Sequence, residues 1–200
     1  MSEPVQTAVQ GQPLPPEQDL ATRLWQELTR APHDRHHDWR TPTLATQGLG
    51  NSGPQVRTVV LRQADAALWT LRVYTDARSP KCAQLRAQPM AQLLFWSKRL
   101  NWQLRLSATA TVAHDGPQVE AAWSSIQATH AASDYLSLHA PGQLAVPTHE
   151  APAMTNPTDG RHHLAILHFQ VTSMDWLALR KDGHQRARLF PSGGVEWLVP

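Results

Sequence analysis

One stretch of the sequence, from Asn101 to His114, alternates strictly between apolar and polar residues. Successive side chains of a β-strand point to opposite faces, so the alternation predicts a long strand with one buried and one polar face. The apolar positions are Trp102, Leu104, Leu106, Ala108, Ala110 and Val112. The polar positions are Gln103, Arg105, Ser107, Thr109 and Thr111. The segment is therefore expected to form a long strand whose polar face is either an inner face or a solvent face.

Other short runs rich in β-branched and aromatic residues, separated by Gly, Asn and Pro, predict further strands. They lie at Pro42–Gln47, Gln55–Gln63, Trp69–Thr75, Ala91–Ser97, Leu164–Leu179, Gln185–Phe190 and Val195–Val199. About six or seven of these segments, as antiparallel strands with a few peripheral helices, would form a barrel of the mainly-β or α+β class.

The remaining segments predict helices, a loop and a tail. Helical spacing and capping residues favour helices at Pro16–Arg30, Ser79–Gln88, Pro117–Thr129 and Ala131–Leu138, with Asp115 as a cap before the third. The Pro-rich segment Pro141–Asp159 is expected to form a loop or lid. Residues 1–16 are expected to form a disordered tail ahead of one domain that spans residues 17–200.

The composition argues against several classes of protein. No run approaches the ~18 consecutive apolar residues of a membrane span, and no secretory signal pattern is found, so a cytoplasmic location is expected. Lys and Arg exceed Asp and Glu by only 18 − 16 = 2, which argues against nucleic-acid binding. Cys82 is the only cysteine, so one chain can form neither a disulfide nor a cysteine-based zinc site. The His and Asp residues from His33 to Asp38 have no distant partner set, so no metal site is expected.

The strand Arg57-Thr58-Val59-Val60-Leu61-Arg62 carries a guanidinium group at each end. By alternation Arg57, Val59 and Leu61 share one face, and Arg62 lies on the other. A guanidinium at a strand edge can fork two hydrogen bonds to a phosphate, and an apolar strand offers a wall for a flat ring. A barrel strand that ends in solvated arginines is the alternative.

A second segment, Tyr74-Thr75-Asp76-Ala77-Arg78-Ser79-Pro80-Lys81, leaves a predicted strand and enters a predicted helix. A helix N-terminus presents unpaired N–H groups and a partial positive charge, so Arg78, Ser79 and Lys81 there could hold a phosphate dianion. The alternative is an ordinary capped helix, with Ser79 as the N-cap and Lys81 in solvent.

Gln103 and Arg105 share the polar face of the long alternating strand. An amide can donate and accept hydrogen bonds at the polar edge of a flat heterocycle, and a nearby cation favours an anionic reduced ring. A polar outer face of a barrel strand explains both residues equally well.

In their order and spacing, these segments resemble the pyridoxamine 5′-phosphate oxidase family of FMN proteins. That family has an Arg-x-Val-x-Leu-(Lys/Arg) strand, then Tyr-Thr, then Ser-x-Lys opening a helix, then a Gln on a strand, and finally a C-terminal Trp and Arg. This chain supplies Arg57 to Arg62, Tyr74-Thr75, Ser79-Pro80-Lys81, Gln103, and Trp176 with Arg186 or Arg188. The resemblance runs from about Trp39 to Pro200 and implies a split β-barrel.

The resemblance implies FMN as the cofactor. Arg57 and Lys81 would grip its phosphate with help from Ser79, and Gln103 would meet the polar edge of the ring. The flavin would lie at the interface of a homodimer, with Trp176 and either Arg186 or Arg188 supplied by the second chain. The full expected set is Arg57, Thr58, Val59, Val60, Leu61, Arg62, Tyr74, Thr75, Arg78, Ser79, Lys81, Gln103, Arg105, Trp176, Arg186 and Arg188.

Two departures from the family pattern bear on the phosphate contacts and the substrate. Pro80 stands where the oxidase usually has Arg, a contact that Arg78 could replace. His139 follows Tyr135 by four residues, where members that oxidise pyridoxamine phosphate carry Arg, and an imidazole is a weaker phosphate partner. The pattern is closer to the family branch of FMN-binding proteins with unassigned activity.

The resemblance implies an FMN-dependent oxidoreductase that acts on an unidentified small substrate. The residues to test for substrate binding are Arg62, Tyr135, His139 and Arg186. An FMN carrier or sensor without turnover, a true pyridoxamine 5′-phosphate oxidase, and a barrel that has lost its cofactor are the alternatives.

Overall fold

The computed structural model describes residues 17–144 and 162–200, which fold around an antiparallel sheet. The α-helices are α1 (Glu17–Arg30), α2 (Pro80–Ala87) and α3 (Pro117–Ile126), and short 3₁₀ helices lie at Ala31–His33, Asp38–Arg40 and His130–Tyr135. The strands are β1 (Thr43–Gln47), β2 (Pro54–Thr58), β3 (Leu61–Asp65), β4 (Thr70–Asp76), β5 (Met90–Ser97), β6 (Trp102–Ala113), β7 (Leu164–Ala178), β8 (Gln185–Leu189) and β9 (Val195–Leu198).

The strands pair in the order β2-β1-β5-β6-β7-β4-β3, and β8 and β9 extend the sheet from the C-terminal half of β7. The two strands at the ends of this path, β2 and β3, follow each other in the chain, and the sheet does not close between them. This arrangement confirms the expected mainly-β or α+β class with peripheral helices. It is consistent with a split barrel.

The structure corrects the expected strand count, because the sheet of the described residues has nine strands rather than six or seven. The expected strand Gln55–Gln63 is wrong: it divides at Val59 and Val60 into β2, which pairs with β1, and β3, which pairs with β4. A single straight strand could not serve both ends of the sheet.

The core lies where the sheet wraps around the apolar face of β6, as the alternation predicts. Leu104, Leu106 and Ala108 are fully buried, while Gln103 and Arg105 on the other face are half-buried. Helix α1 covers this core with the buried side chains Leu20, Leu24, Trp25 and Leu28. A second cluster forms where α3 and the 3₁₀ helix His130–Tyr135 pack on β7, around Trp123, Tyr135 and Ile166.

Other local predictions are corrected at their boundaries. The expected helix Ala131–Leu138 is a 3₁₀ helix at His130–Tyr135, and the helix expected to reach Thr129 ends at Ile126. Gly116, with a φ of 88°, occupies the N-cap of α3 in place of Asp115. The expected tail at residues 1–16, and all of the expected loop Pro141–Asp159 beyond residue 144, lie outside the described residues. No helix in the described part of the chain is long and apolar enough to cross a membrane.

Candidate functional site

Two cations and two hydroxyl groups converge where β4 leads into α2. The Lys81 ammonium donates hydrogen bonds to Thr75 Oγ1 and Ser79 Oγ, each at 2.9 Å. Ser79 occupies the N-cap position of α2, but its hydroxyl makes no capping hydrogen bond. The Ser79 hydroxyl therefore faces the lysine rather than capping the helix. Arg57, Thr75, Ser79 and Lys81 are called the cation cluster below.

Two residues that the sequence analysis missed hold Arg57 in place. Its guanidinium donates to Thr46 Oγ1 at 2.6 Å and to Gln84 Oε1 at 2.9 Å. Thr46 in turn donates to Gln84 at 2.7 Å, and both residues are buried. β1 thus supplies Thr46 and α2 supplies Gln84, which fixes Arg57 beside the helix that carries Lys81.

The cation cluster carries positive charge that its surroundings do not balance. Burial lowers the pKa of Arg57, and burial together with the nearby Arg57 charge lowers the pKa of Lys81. Among the described residues neither cation forms an ion pair with a carboxylate. Half-buried cations without counter-ions are costly, so this place suits an anion with more than one negative charge.

Arg78, which the sequence analysis placed with the phosphate contacts, directs its donors elsewhere. Its guanidinium binds both carboxylate oxygens of Asp76, at 3.1 Å and 2.7 Å. It also donates to the backbone carbonyls of Ser137, Leu138 and His139. In this structure Arg78 ties the start of α2 to the segment that follows the 3₁₀ helix.

The residues expected to lie against the flat ring, Thr58 to Leu61, differ in burial. Val59 and Leu61 are buried in the main core, Val60 is half-buried, and Thr58 is exposed. Val60 and Thr58 are therefore more accessible to a ligand than Val59 and Leu61.

Arg62 and Tyr135, two of the expected substrate residues, lie together. The Arg62 guanidinium carbon is 5.7 Å from the centre of the Tyr74 ring, and Arg62 Nε is buried with no hydrogen-bond partner among the described residues. Burial raises the pKa of Tyr135, and the positive charge of Arg62 partly offsets that effect. His139 is exposed, and its backbone carbonyl is one of the three that accept a hydrogen bond from Arg78.

Arg105, Arg186 and Arg188 lie on the outer face of the sheet, around an aspartate that the sequence analysis did not single out. Asp175, on β7, accepts a hydrogen bond from Arg105 on β6 and a bidentate pair from Arg186 on β8, at 3.0 Å and 2.9 Å. These arginines hold the pKa of Asp175 below its usual value against the opposing effect of burial. Arg188 is 3.7 Å from Glu196.

Trp176 lies inside its own chain. It is 2% exposed and packs edge-on against Trp102, with ring centres 5.4 Å apart. It lines one side of a cavity of about 300 Å³ beneath α1, together with Arg23, Leu100, Trp102, Ala178, Arg180 and Gln185. With 2% of its surface exposed, this side chain offers little contact area to a molecule outside the chain.

The His-rich connection after α1 has structural contacts. His37 Nδ1 accepts from the Trp39 backbone N–H at 3.1 Å, and its Nε2 lies 2.8 Å from Glu27. Across the described residues no group of three or more His, Cys, Asp or Glu side chains is placed to hold a metal ion.

Residues 22–114 match the family model described as pyridoxamine 5′-phosphate oxidase, FMN-binding domain. No curated protein sequence matches the chain significantly.

Solved structures share the fold at low sequence identity. A pyridoxamine 5′-phosphate oxidase-related, FMN-binding protein from Nostoc punctiforme has a TM-score of 0.67 and 22% identity, covering 94% of this chain and 100% of its own. PhzG from Burkholderia lata, solved with tetrahydrophenazine-1-carboxylic acid, has a TM-score of 0.70 and 17% identity, covering 95% and 99%. A protein from Clostridium acetobutylicum related to general stress protein 26 has a TM-score of 0.53 and 16% identity, covering 86% and 95%.

Proposed function

Because residues 22–114 match the family model of the pyridoxamine 5′-phosphate oxidase FMN-binding domain, we propose that this chain is an FMN-dependent oxidoreductase that acts as a homodimer on a small substrate. The observation that carries the proposal is the cation cluster. When bound, FMN supplies the redox chemistry by accepting and passing on electrons. The protein binds the phosphate, orients the ring and places cations near it.

The cation cluster fits the phosphate of FMN in charge and in donor type. A phosphate monoester carries about −1.5 to −2 charges at neutral pH, and Arg57 and Lys81 together supply two positive charges. Arg57 can direct forked hydrogen bonds to phosphate oxygens, while Lys81 acts as a point charge. The Thr75 and Ser79 hydroxyls, now hydrogen-bonded to Lys81, can donate to the same oxygens.

The depressed pKa of Lys81 predicts that FMN binding weakens in alkaline solution. Phosphate binding needs the charged ammonium, and this charge is lost as the pH rises through a lysine pKa that burial and Arg57 have lowered. FMN affinity should therefore stay constant just above pH 7 and decrease as the pH rises further. The decrease should begin at a lower pH than the one at which an ordinary lysine loses its proton.

Lys81→Arg is the control, because a guanidinium stays charged throughout this range. Titrations of FMN fluorescence from about pH 7 to pH 9.5 should show the alkaline loss in the unaltered protein and not in Lys81→Arg. An identical loss in both proteins would assign it to another group.

The outer face of β5 supports the proposed homodimer. Met90, Leu94 and Trp96 point outward there and are 53%, 39% and 45% exposed. Leu94 pairs with Arg105, which pairs with Asp175, so the apolar patch adjoins the arginine cluster. Exposed apolar patches of this kind mark interaction surfaces, and a second copy of the chain would bring the outer-face arginines of one protomer near its partner.

Leu94→Glu should convert the dimer to monomer by placing a charge in that patch. Sedimentation velocity at micromolar concentration should give a dimer for the unaltered chain and a monomer for the variant. Leu68→Glu, at an exposed leucine in the turn between β3 and β4, should remain dimeric. A dimeric Leu94→Glu would place the interface elsewhere.

Absorption spectra and reduction assays test the oxidoreductase proposal. Protein mixed with FMN and freed of excess should keep a flavin spectrum. The bound flavin should bleach anaerobically with a suitable amine or NAD(P)H and regain its colour in air. A bound flavin that no donor reduces would favour the carrier or sensor, and protein that takes up no FMN would end the proposal.

A further inference from the structure

The cation cluster and the site around Arg62 differ in charge, and we infer from this difference that the substrate is a small molecule with a carboxylate, which Arg62 binds. The inference rests on the proposed function, since it names the substrate class of the same enzyme. It depends on counting the cations and donors that each site offers to an anion.

The cation cluster is built for two negative charges. Thr46 and Gln84 hold Arg57 beside α2, the helix that carries Lys81. The charges of the two cations act on each other closely enough to lower the pKa of Lys81. Two neighbouring cations that repel each other are best balanced by a dianion.

Within the described part of the chain, the Arg62 site offers the positive charge of one guanidinium. Its guanidinium lies between the Tyr74 ring and the buried Tyr135, and no ion pair with a carboxylate is present in the described residues. The nearby Arg78 is bound to Asp76 and to three backbone carbonyls. On the neighbouring strand, Arg72 donates to Gln63 at 3.0 Å.

One guanidinium and one phenol match a carboxylate better than a phosphate. A carboxylate takes a forked pair of hydrogen bonds from Arg, and the Tyr135 hydroxyl can donate a third. The second charge of a phosphate would stay uncompensated beside two aromatic rings, where desolvation penalises it. Arg62 Nε makes no hydrogen bond within the described residues, so no other acceptor holds that side of the guanidinium.

Calorimetric titration with benzoate and phenyl phosphate tests this inference, because the two probes share a ring and differ in charge. At pH 8 phenyl phosphate carries nearly two charges, since a phosphate monoester has its second pKa near ~6. Benzoate should bind at least about tenfold more tightly than phenyl phosphate. Arg62→Gln should weaken benzoate binding by about tenfold or more, since a hydrogen bond to a charged group is lost.

Two control variants test whether a loss of benzoate binding in Arg62→Gln comes from unfolding or from an indirect effect. Arg62→Lys keeps the charge and should retain the preference for benzoate, although it lacks the forked geometry. Arg72→Gln removes a guanidinium from the adjacent strand and should bind benzoate like the unaltered protein. Phenyl phosphate binding as tight as benzoate binding, or undiminished benzoate binding in Arg62→Gln, would overturn the inference.

Benzoate is titrated into both FMN-free and FMN-saturated protein. Phenyl phosphate is titrated into FMN-saturated protein alone, because the empty cation cluster would also bind its phosphate. Absence of FMN uptake would contradict the proposed function, whereas the benzoate titration of the FMN-free protein judges the Arg62 site on its own. Absence of benzoate binding in both forms would overturn the inference even if FMN binds.

Discussion

Arg57→Ala will bind FMN about 10- to 150-fold more weakly than the unaltered protein, which corresponds to the ~1.5–3 kcal/mol of a charge-assisted hydrogen bond. Arg57 is one of two cations in the cation cluster and the one with a forked donor geometry. Its loss would leave Lys81 to balance a phosphate dianion alone. Quenching of FMN fluorescence during titration with the protein measures the dissociation constant directly.

The fold should survive this substitution, because Thr46 and Gln84 keep the hydrogen bond that they make to each other. Arg86→Ala is the matched control: it removes the same charge from an exposed position on α2. The control should bind FMN with unchanged affinity. Equal affinities for the Arg57 and Arg86 variants would remove Arg57 from the cofactor site.

The sequence allowed the local parts of the candidate site to be predicted. Alternation along Asn101–His114 predicted β6 and its buried face, because strand periodicity depends only on the local chain. The Ser79-Pro80-Lys81 motif predicted the start of α2 and a cationic position there. Arg57 and Lys81 could be linked only through the resemblance, since they are separated in sequence and meet through the pairing of distant strands.

The supporting residues could not be predicted from the sequence. Thr46 and Gln84 read as an ordinary strand threonine and an ordinary helix glutamine, and only the packing of α2 on β1 brings them to Arg57. Asp175 lay in a predicted strand without any motif. Its role depends on the register that places it opposite Arg105 on one side and beside Arg186 on the other.

The break between β2 and β3 also could not be predicted from the sequence pattern. Val59 and Val60 have high β propensity, so a continuous strand was the natural prediction. Tertiary structure overrides that preference, because β2 and β3 must pair with strands at opposite ends of the sheet. The two arginines of one predicted strand therefore lie in different places, Arg57 in the cation cluster and Arg62 beside Tyr74 and Tyr135.

Asp175→Asn will lower the free energy of unfolding of the FMN-free protein by about 1.5–3 kcal/mol. Asp175 is 8% exposed and joins β6, β7 and β8 by accepting hydrogen bonds from Arg105 and Arg186. An asparagine keeps the shape but offers one acceptor oxygen and no charge, so two guanidinium groups would lose their counter-ion. The loss stays below that of a fully buried pair because both guanidinium groups are partly exposed.

The pH dependence distinguishes this ion pair from a simple packing effect. The pKa of Asp175 is lowered in the folded state, so its contribution is complete above the pKa of an unfolded aspartate, ~3.9, and is lost as the pH falls through the lower folded value. Urea denaturation should therefore show a constant difference between the two proteins from pH 7 to pH 5 and a shrinking one below about pH 4. Asp182→Asn, at an exposed ion pair with Arg180, should unfold like the unaltered chain. A difference that persists unchanged at low pH would mean that Asp175 acts through its shape rather than its charge.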